Sequence, residues 1–447
     1  MIPCIAIFDI GKTNKKFLLF DQRYQILKEE EICFGEVKDD DGDTGEDLAA
    51  LTNWLRKTWK ALEADTKYDV IAVNFTTYGA SLVHLNEEGE PVTPLYNYLK
   101  PFPEELERQF YGTYGEKMTI SEETASPPLG MLNSGLQLYW LKYQKPETFK
   151  KIKYTLHLPQ YVSYLFTKHM VTDYTSLGCH TALWDFQKKD YHTWVYAEGF
   201  DKLFPPLRQH YRPLETAFRS ESIPAGLGLH DSSSALIPYL KQYRKHFLLL
   251  STGTWGITLN PFAKEPLTTS DLQQDCLQYL TYFGNPVKAS RKFIGNAHEE
   301  HIKVLAEYYN KPLDYYKQVA FDETFTEGIV QTDFGTILKQ EKVPLVKDKI
   351  TASAVRIKLD LVLFATYEAA YHQLMGQIVR QQLHSLYLAA EGDTSSFRIL
   401  VVDGGFSRNP IFMSLLRQIF PSLKIKAGKS AQGTALGSAL ALNIWPY

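Results

Sequence analysis

At 447 residues the chain is too long for one ordinary hydrophobic core, which predicts two domains. Hydrophobic residues at 44% and charged residues at 22% are those of a soluble globular protein, and 48 Lys and Arg against 51 Asp and Glu leave a net charge of -3, which excludes nucleic acid as an expected partner. No apolar stretch approaches the ~20 residues of a membrane span, and the scattered Cys4, Cys33, Cys179 and Cys276 form no Cys-x-x-Cys pair, so neither a membrane partner nor a disulfide framework is expected.

Met1-Ile2-Pro3-Cys4 has no basic region ahead of an apolar core, and Asp9 interrupts the run, so no signal peptide is expected and the location is read as cytoplasmic. From Ile5 to Asp21 two apolar runs flank a polar turn, the pattern of a β-hairpin with an exposed tip. Gly11 lets backbone N–H groups approach an anion, Thr13 and Asn14 add short polar donors, and Lys12, Lys15 and Lys16 supply charge, which suits a phosphate. Asp9 ends the first strand, where a carboxylate would orient a hydrated Mg²⁺. By itself the stretch also reads as an ordinary basic surface hairpin.

Thr44-Gly45-Glu46-Asp47 is expected to act as a capping box for a helix with Leu48, Leu51, Leu55 and Leu62 on one face. Asp69 to Phe75 reads as a buried strand ending at Thr76-Thr77-Tyr78-Gly79, and Leu82 to Leu85 as a second strand that turns at Asn86-Glu87-Glu88-Gly89. Pro91 to Pro128 is rich in Pro, Tyr and Phe but weak in periodicity, so it is read either as an insertion covering a ligand side or, equally, as a packed irregular loop. Helices are expected through Leu132 to Tyr143 and from Pro159 to Thr167.

Gly226 to Leu236 holds His230, Asp231 and Ser232 in a Gly-rich setting, where Asp231 by spacing alone is a helix N-cap. The domain boundary is placed here, giving domains 1–240 and 241–447 with Pro238 to Lys245 as the crossover. The second half opens with another strand, turn and strand, Phe247 to Leu259 around Gly253 and Thr254. His298-Glu299-Glu300-His301 has i, i+3 rather than i, i+4 histidines and is read as a solvated face of a helix from about Asn296 to Tyr309. A long helix or broken pair is expected from about Ala352 to Leu386. A strand from Phe397 then runs through Gly404 and Gly405 into a helix that Asn409 caps and Pro410 opens, and a final helix spans Gly433 to Leu442, whose small residues suit close packing.

The hairpin at Gly11, the turn at Gly253-Thr254 and the Gly404-Gly405 strand end resemble the phosphate-1, phosphate-2 and adenosine segments of the sugar-kinase, actin and heat-shock ATPase superfamily. Within it the chain resembles an FGGY carbohydrate kinase. The resemblance implies an α/β fold of two RNase H-like (actin-like ATPase) domains facing an interdomain cleft, with ATP and Mg²⁺ as cofactors and a small-molecule sugar as substrate; a homo-oligomer is left open. It further implies that Asp231 is the catalytic base, that Gly11, Lys12, Thr13, Asn14, Lys15, Gly253, Thr254, Gly404, Gly405 and Asn409 meet the nucleotide, and that Asp9 holds the metal. Thr77-Tyr78-Gly79 resembles the segment of rhamnulokinases and fuculokinases, so these residues, with His230, Asp231 and Ser232, are assigned to the sugar. Two departures stand out: lysines where the family has a hydroxyl-rich phosphate-1 tip, and Arg291-Lys292-Phe293-Ile294-Gly295 where rhamnulokinases carry an Asn.

Overall fold

A computed structural model describes residues 1–208, 211–217, 222–243, 245–326, 355, 357–428 and 432–447. The described chain is mixed α/β and divides into two compact units, one of Met1–Gln242, Gln278–Pro286 and Gln432–Tyr447, the other of Tyr243–Leu277 and Val287–Ala431.

In the first unit the expected hairpin forms from strands Ile2–Ile10 and Asn14–Phe20, paired antiparallel with Asp9 opposite Lys16 and Ile10 opposite Lys15. Strand Tyr68–Thr77 lies parallel on the other side of Ile2–Ile10, and the short strand Leu229–His230 runs parallel to Tyr68–Thr77 in turn. Both faces of this sheet are covered, which is why Ile5 to Phe8 read as a continuous apolar run rather than an alternation. One face packs Ala6, Phe8 and Phe75 against Leu51 and Leu55 of helix Leu48–Glu63 and Val162 of helix Leu158–Thr167. Phe8 centres that layer, its ring 5.0 to 6.1 Å from those of Phe17, Trp54, Phe75 and Phe166. The other face packs Ile5, Ile7 and Leu229 against Ile237, Ala435, Ala439 and Leu440.

Several expectations are corrected. Thr44–Glu46 is a short strand paired with Glu36–Lys38, and Asp47, not Thr44, caps helix Leu48–Glu63 by accepting from the Ala50 N–H. The stretch read as an insertion or irregular loop contains helices Glu104–Tyr114 and Lys117–Glu123, whose few apolar anchors, Leu106, Phe110 and Ile120, are too sparse to show a period. The expected crossover from Pro238 is helix as far as Gln242, with Pro238 inside it; the crossover's Arg244 lies outside the described residues. The last helix, Gly433–Ala441, read as part of the second half, packs within the first unit: the Asn74 amide donates to the Ser438 carbonyl at 2.7 Å, and a Cβ on Gly437 would stand 1.8 Å from the Ser234 carbonyl oxygen.

In the second unit, strands Phe247–Thr252 and Gly256–Asn260 form the second hairpin, with Ile399–Gly404 parallel to Phe247–Thr252 and Lys424–Ala427 parallel beyond it. Helix Tyr367–Ala389 supplies Tyr371, Leu374, Met375, Ile378 and Val379 to the core. The start expected for it, Ala352, lies outside the described residues. Among the described residues no helix is long and apolar enough to cross a membrane.

Candidate active site

The parallel strands of the first unit bring sequence-distant residues together at their carboxyl ends. Register sets Asp9 beside Thr76 and Ile10 beside Thr77, while Leu229 lies beside Thr76 and His230 beside Thr77. Asp231 follows as the first residue of helix Asp231–Gln242. Asp9 and Asp231 are close enough to couple: burial first, and then the charge of Asp231, push the Asp9 carboxyl up to about 7, against the opposing pull of Lys16. Such a pair favours a cation. A hydrated Mg²⁺, which takes one or two carboxylates and keeps its waters, fits this donor set.

Asp231 is about one-third exposed at the side chain. Its Oδ1 accepts from the Ser232 N–H at 2.6 Å and the Ser232 hydroxyl at 3.2 Å, and lies 3.2 Å from His230 Nε2. Ser232 therefore orients the carboxylate through both its backbone and its hydroxyl. The His230 ring is buried, with Nε2 also 3.2 Å from the Cys179 sulfur, and its Nδ1 is buried without a partner among the described residues. Gly79 makes room for that ring, since a Cβ there would stand 2.8 Å from the His230 Cδ2 and Nε2 atoms and 3.2 Å from the Cys179 sulfur. Thr77 is turned inward, donating its hydroxyl to the Tyr78 carbonyl at 2.8 Å. Cys179 and Tyr279, whose ring centre is 6.2 Å from that of His230, belong to this site but carried no signal in the sequence.

At the hairpin tip the Gly11 N–H donates to the Asn14 carbonyl at 2.9 Å, and Thr13 and Asn14 are exposed. The lysines are engaged with the protein: Lys12 with Glu46 at 2.7 Å, and Lys16 with Glu29 at 3.2 Å. Lys15 is buried. The Lys12 ammonium also faces the rings of Tyr78 and Tyr98, at 5.5 and 4.9 Å from their centres. Burial, Glu46 and Asp231 raise the Tyr98 phenol, which places Tyr98 in the same electrostatic neighbourhood as the two acids.

The second unit builds a cavity of about 560 Å³, which Gly253, Thr254, Gly405 and Asn409 help to line. His298, Glu299 and Tyr316 are among its other lining residues and were not foreseen. Gly404 stands behind the wall: its φ is +83°, and a Cβ would lie 1.8 Å from the Thr252 carbonyl, so the strand end can turn only with glycine there. The turn at Gly253 seats the helix Ile294–Tyr308, whose Gly295 N–H donates to the Thr254 carbonyl at 3.0 Å. Asn409 caps helix Pro410–Ile419 as expected, accepting from the Ile411 and Phe412 N–H groups at 3.0 Å, and its amide donates to the Tyr371 hydroxyl at 2.7 Å. The Tyr371 hydroxyl in turn lies 3.0 Å from His298 Nε2. The expected solvated face holds for the exposed Glu299 and Glu300 and is corrected at His298, which is buried and held near 4 by burial, then by His301, while His301 Nδ1 bonds the Ala297 carbonyl at 2.7 Å. Arg291, in the departing segment, pairs with Asp275 at 2.5 Å. A roomy cavity with two glycine turns and polar rims suits a nucleotide.

Residues 4–235, just over half of the chain, match the model of the FGGY family of carbohydrate kinases, N-terminal domain. The chain belongs to that family. A rhamnulokinase from Halalkalibacterium halodurans is 27% identical over 267 residues, covering 56% of this FGGY chain and 52% of the relative, so the match spans about half the length of that curated protein. Among solved structures, a carbohydrate kinase from Novosphingobium aromaticivorans aligns with a TM-score of 0.77 at 21% identity over 99% of this chain and 91% of its own. Plasmodium falciparum glycerol kinase with ADP gives 0.75 at 19% identity over 100% and 91%. A ligand-bound xylulose kinase from Lactobacillus acidophilus gives 0.75 at 17% over 99% and 89%. These likenesses establish the two-domain, actin-like ATPase fold of the FGGY kinases.

Proposed function

We propose that the chain transfers the γ-phosphoryl group of ATP to a hydroxyl of a ketose, with a 6-deoxyketose such as L-rhamnulose or L-fuculose as the favoured acceptor. The observation that carries this reading is that Asp231 opens a helix directly after strand Leu229–His230, within electrostatic reach of Asp9. Asp231, oriented by Ser232, takes the proton of the acceptor hydroxyl as that oxygen bonds to phosphorus and ADP leaves. His230 lies against the carboxylate, its buried ring filling the space that Gly79 leaves, and the two residues with Tyr78 form the wall assigned to the sugar. Asp9 is the residue that would hold Mg²⁺, whose charge would offset that of the phosphates when bound. Gly253, Thr254, Gly405 and Asn409 hold the nucleotide in the second unit, the Gly11 to Asn14 tip meets phosphate, and the domain boundary is kept near residue 240.

The deoxyketose assignment rests on Thr77-Tyr78-Gly79 and on the rhamnulokinase relative; the lysines of the tip and the Arg291 segment leave a xylulose-like pentulose or polyol as the second acceptor class. A non-catalytic sugar or ATP sensor on the same fold is the reading from outside the enzymes, and the retained acids Asp9 and Asp231 speak against it. Coupled ADP release measured across a panel of ketoses and polyols separates them. A sugar-dependent rise greatest with a 6-deoxyketose is expected, a rise with a pentulose or polyol instead reassigns the acceptor, and sugar binding without ADP release overturns the kinase.

A further inference from the structure

Two lysines of the hairpin tip and Glu46 beside it form a set of three charges that the proposed reaction does not require to be arranged as they are. Lys15 lies on the face of its strand shared with Phe17 and Leu19, where an apolar side chain would be expected, yet it is only 3% exposed. Its ammonium is 2.7 Å from the Lys12 carbonyl oxygen, within 3.5 Å of the Thr13 carbonyl and 3.5 Å from Glu46 Oε2. The other carboxylate oxygen of Glu46 lies 2.7 Å from the Lys12 ammonium, whose side chain is 27% exposed. One carboxylate therefore holds two lysines, one sealed and one reachable.

The consequence for the backbone follows from peptide geometry. In a trans peptide the N–H points opposite the carbonyl, and the chain has no cis bond among the described residues. By drawing the Lys12 and Thr13 carbonyls inward, the buried ammonium turns the N–H groups of Thr13 and Asn14 the other way, which is the arrangement an anion needs. The two lysines then differ in kind. Lys15 cannot leave without stripping two carbonyls of a donor and Glu46 of its buried partner. Lys12 can leave, because Glu46 keeps Lys15.

Resting on the kinase reading, we propose that Glu46 is a positioning residue of the phosphate hairpin, with Lys15 a fixed buttress of the tip and Lys12 the cation that exchanges Glu46 for nucleotide phosphate. Glu46 opposes nucleotide binding in its competition for Lys12 and supports it through Lys15.

Titration of the full chain with a non-hydrolysable ATP analogue, together with melting of the nucleotide-free protein, tests this. E46Q is expected to tighten the analogue about threefold at low salt, the scale of a partly exposed ion pair, and the gain is expected to vanish in a K12M background. K15M is expected to lower the nucleotide-free melting temperature by about 2 °C or more, whereas K12M lowers it less. The proposal is overturned if E46Q tightens the analogue equally with and without Lys12, or if K15M weakens the analogue while melting as the unaltered chain does. An unaltered chain that binds no nucleotide overturns the kinase reading instead, and the K15M melting shift then still decides whether Lys15 buttresses the tip.

Discussion

Gly79 is glycine because an imidazole occupies the space its side chain would need. Replacing it with Ala puts a methyl 2.8 Å from the His230 ring, against the end of a side chain already wedged by the Cys179 sulfur at 3.2 Å. Over-packing of this kind costs about 1–3 kcal/mol. G79A is accordingly expected to lose that much stability in urea unfolding, and H230A in the same chain to recover most of it. Failure of the second change to restore stability would show that the methyl strains something other than the ring. From the sequence, Gly79 and His230 could each be selected for the sugar, but not for each other, because their contact depends on the register that sets His230 beside Thr77. Cys179 gave no signal at all, since a single thiol in a loop acquires meaning only from the ring it touches.

Elements explain where the tip's counter-ion comes from. Glu46 ends a small hairpin formed by Glu36–Lys38 and Thr44–Glu46, and the turn between them is held by Lys100, whose ammonium lies 2.8 Å from Asp39, 2.9 Å from Asp41 and 2.5 Å from Asp43. Two ammonium groups thus serve the carboxylates Asp39, Asp40 and Asp41 that would otherwise suit a metal, Lys100 at Asp39 and Asp41 and Lys145 at Asp40 and Asp41, and Lys100 ties the segment after Leu95 to the hairpin that carries Glu46. Burial alone would raise Asp39, but Lys100 and the N–H groups of Asp41 and Asp43 hold it below its ordinary value. A carboxyl lowered on folding stabilises the fold above its unfolded pKa and loses that contribution as pH falls through the folded one. K100M is therefore expected to be less stable than the unaltered chain at neutral pH, with the gap narrowing in acid and closing below about pH 4, as pH falls through the lowered pKa of Asp39 in the unaltered chain. A gap that stays constant across that range would mean that Lys100 acts by packing against Tyr96 and Trp140 alone. None of this was legible beforehand. Strands, the two hairpins and the Asn409 cap follow from local periodicity and turn chemistry; the Lys100 plug joins residues about sixty apart, and helix Glu104–Tyr114 buries only Leu106 and Phe110.

On the scale of the molecule, each of the two units ends parallel strands at or beside residues proposed for the chemistry: Asp9 and His230 in the first, Gly404 and the following Gly405 in the second. That recurrence was readable as two glycine-bearing hairpins, and the FGGY membership agrees with it. The return of residues 432–447 to the first unit was not readable, because the small residues of the last helix report close packing without naming the partner, Ser234. Everything proposed for the chemistry converges on one carboxylate, that of Asp231. The most direct test is single-turnover phosphoryl transfer to the best ketose, followed by ³¹P NMR, in the unaltered chain and in D231N with ATP binding measured alongside. A ketose phosphate formed by the unaltered chain, with transfer slowed ~10²–10⁴-fold in D231N and ATP affinity largely retained, is the expected result. Equal transfer by D231N, or no phosphorylated sugar from the unaltered chain, would contradict it.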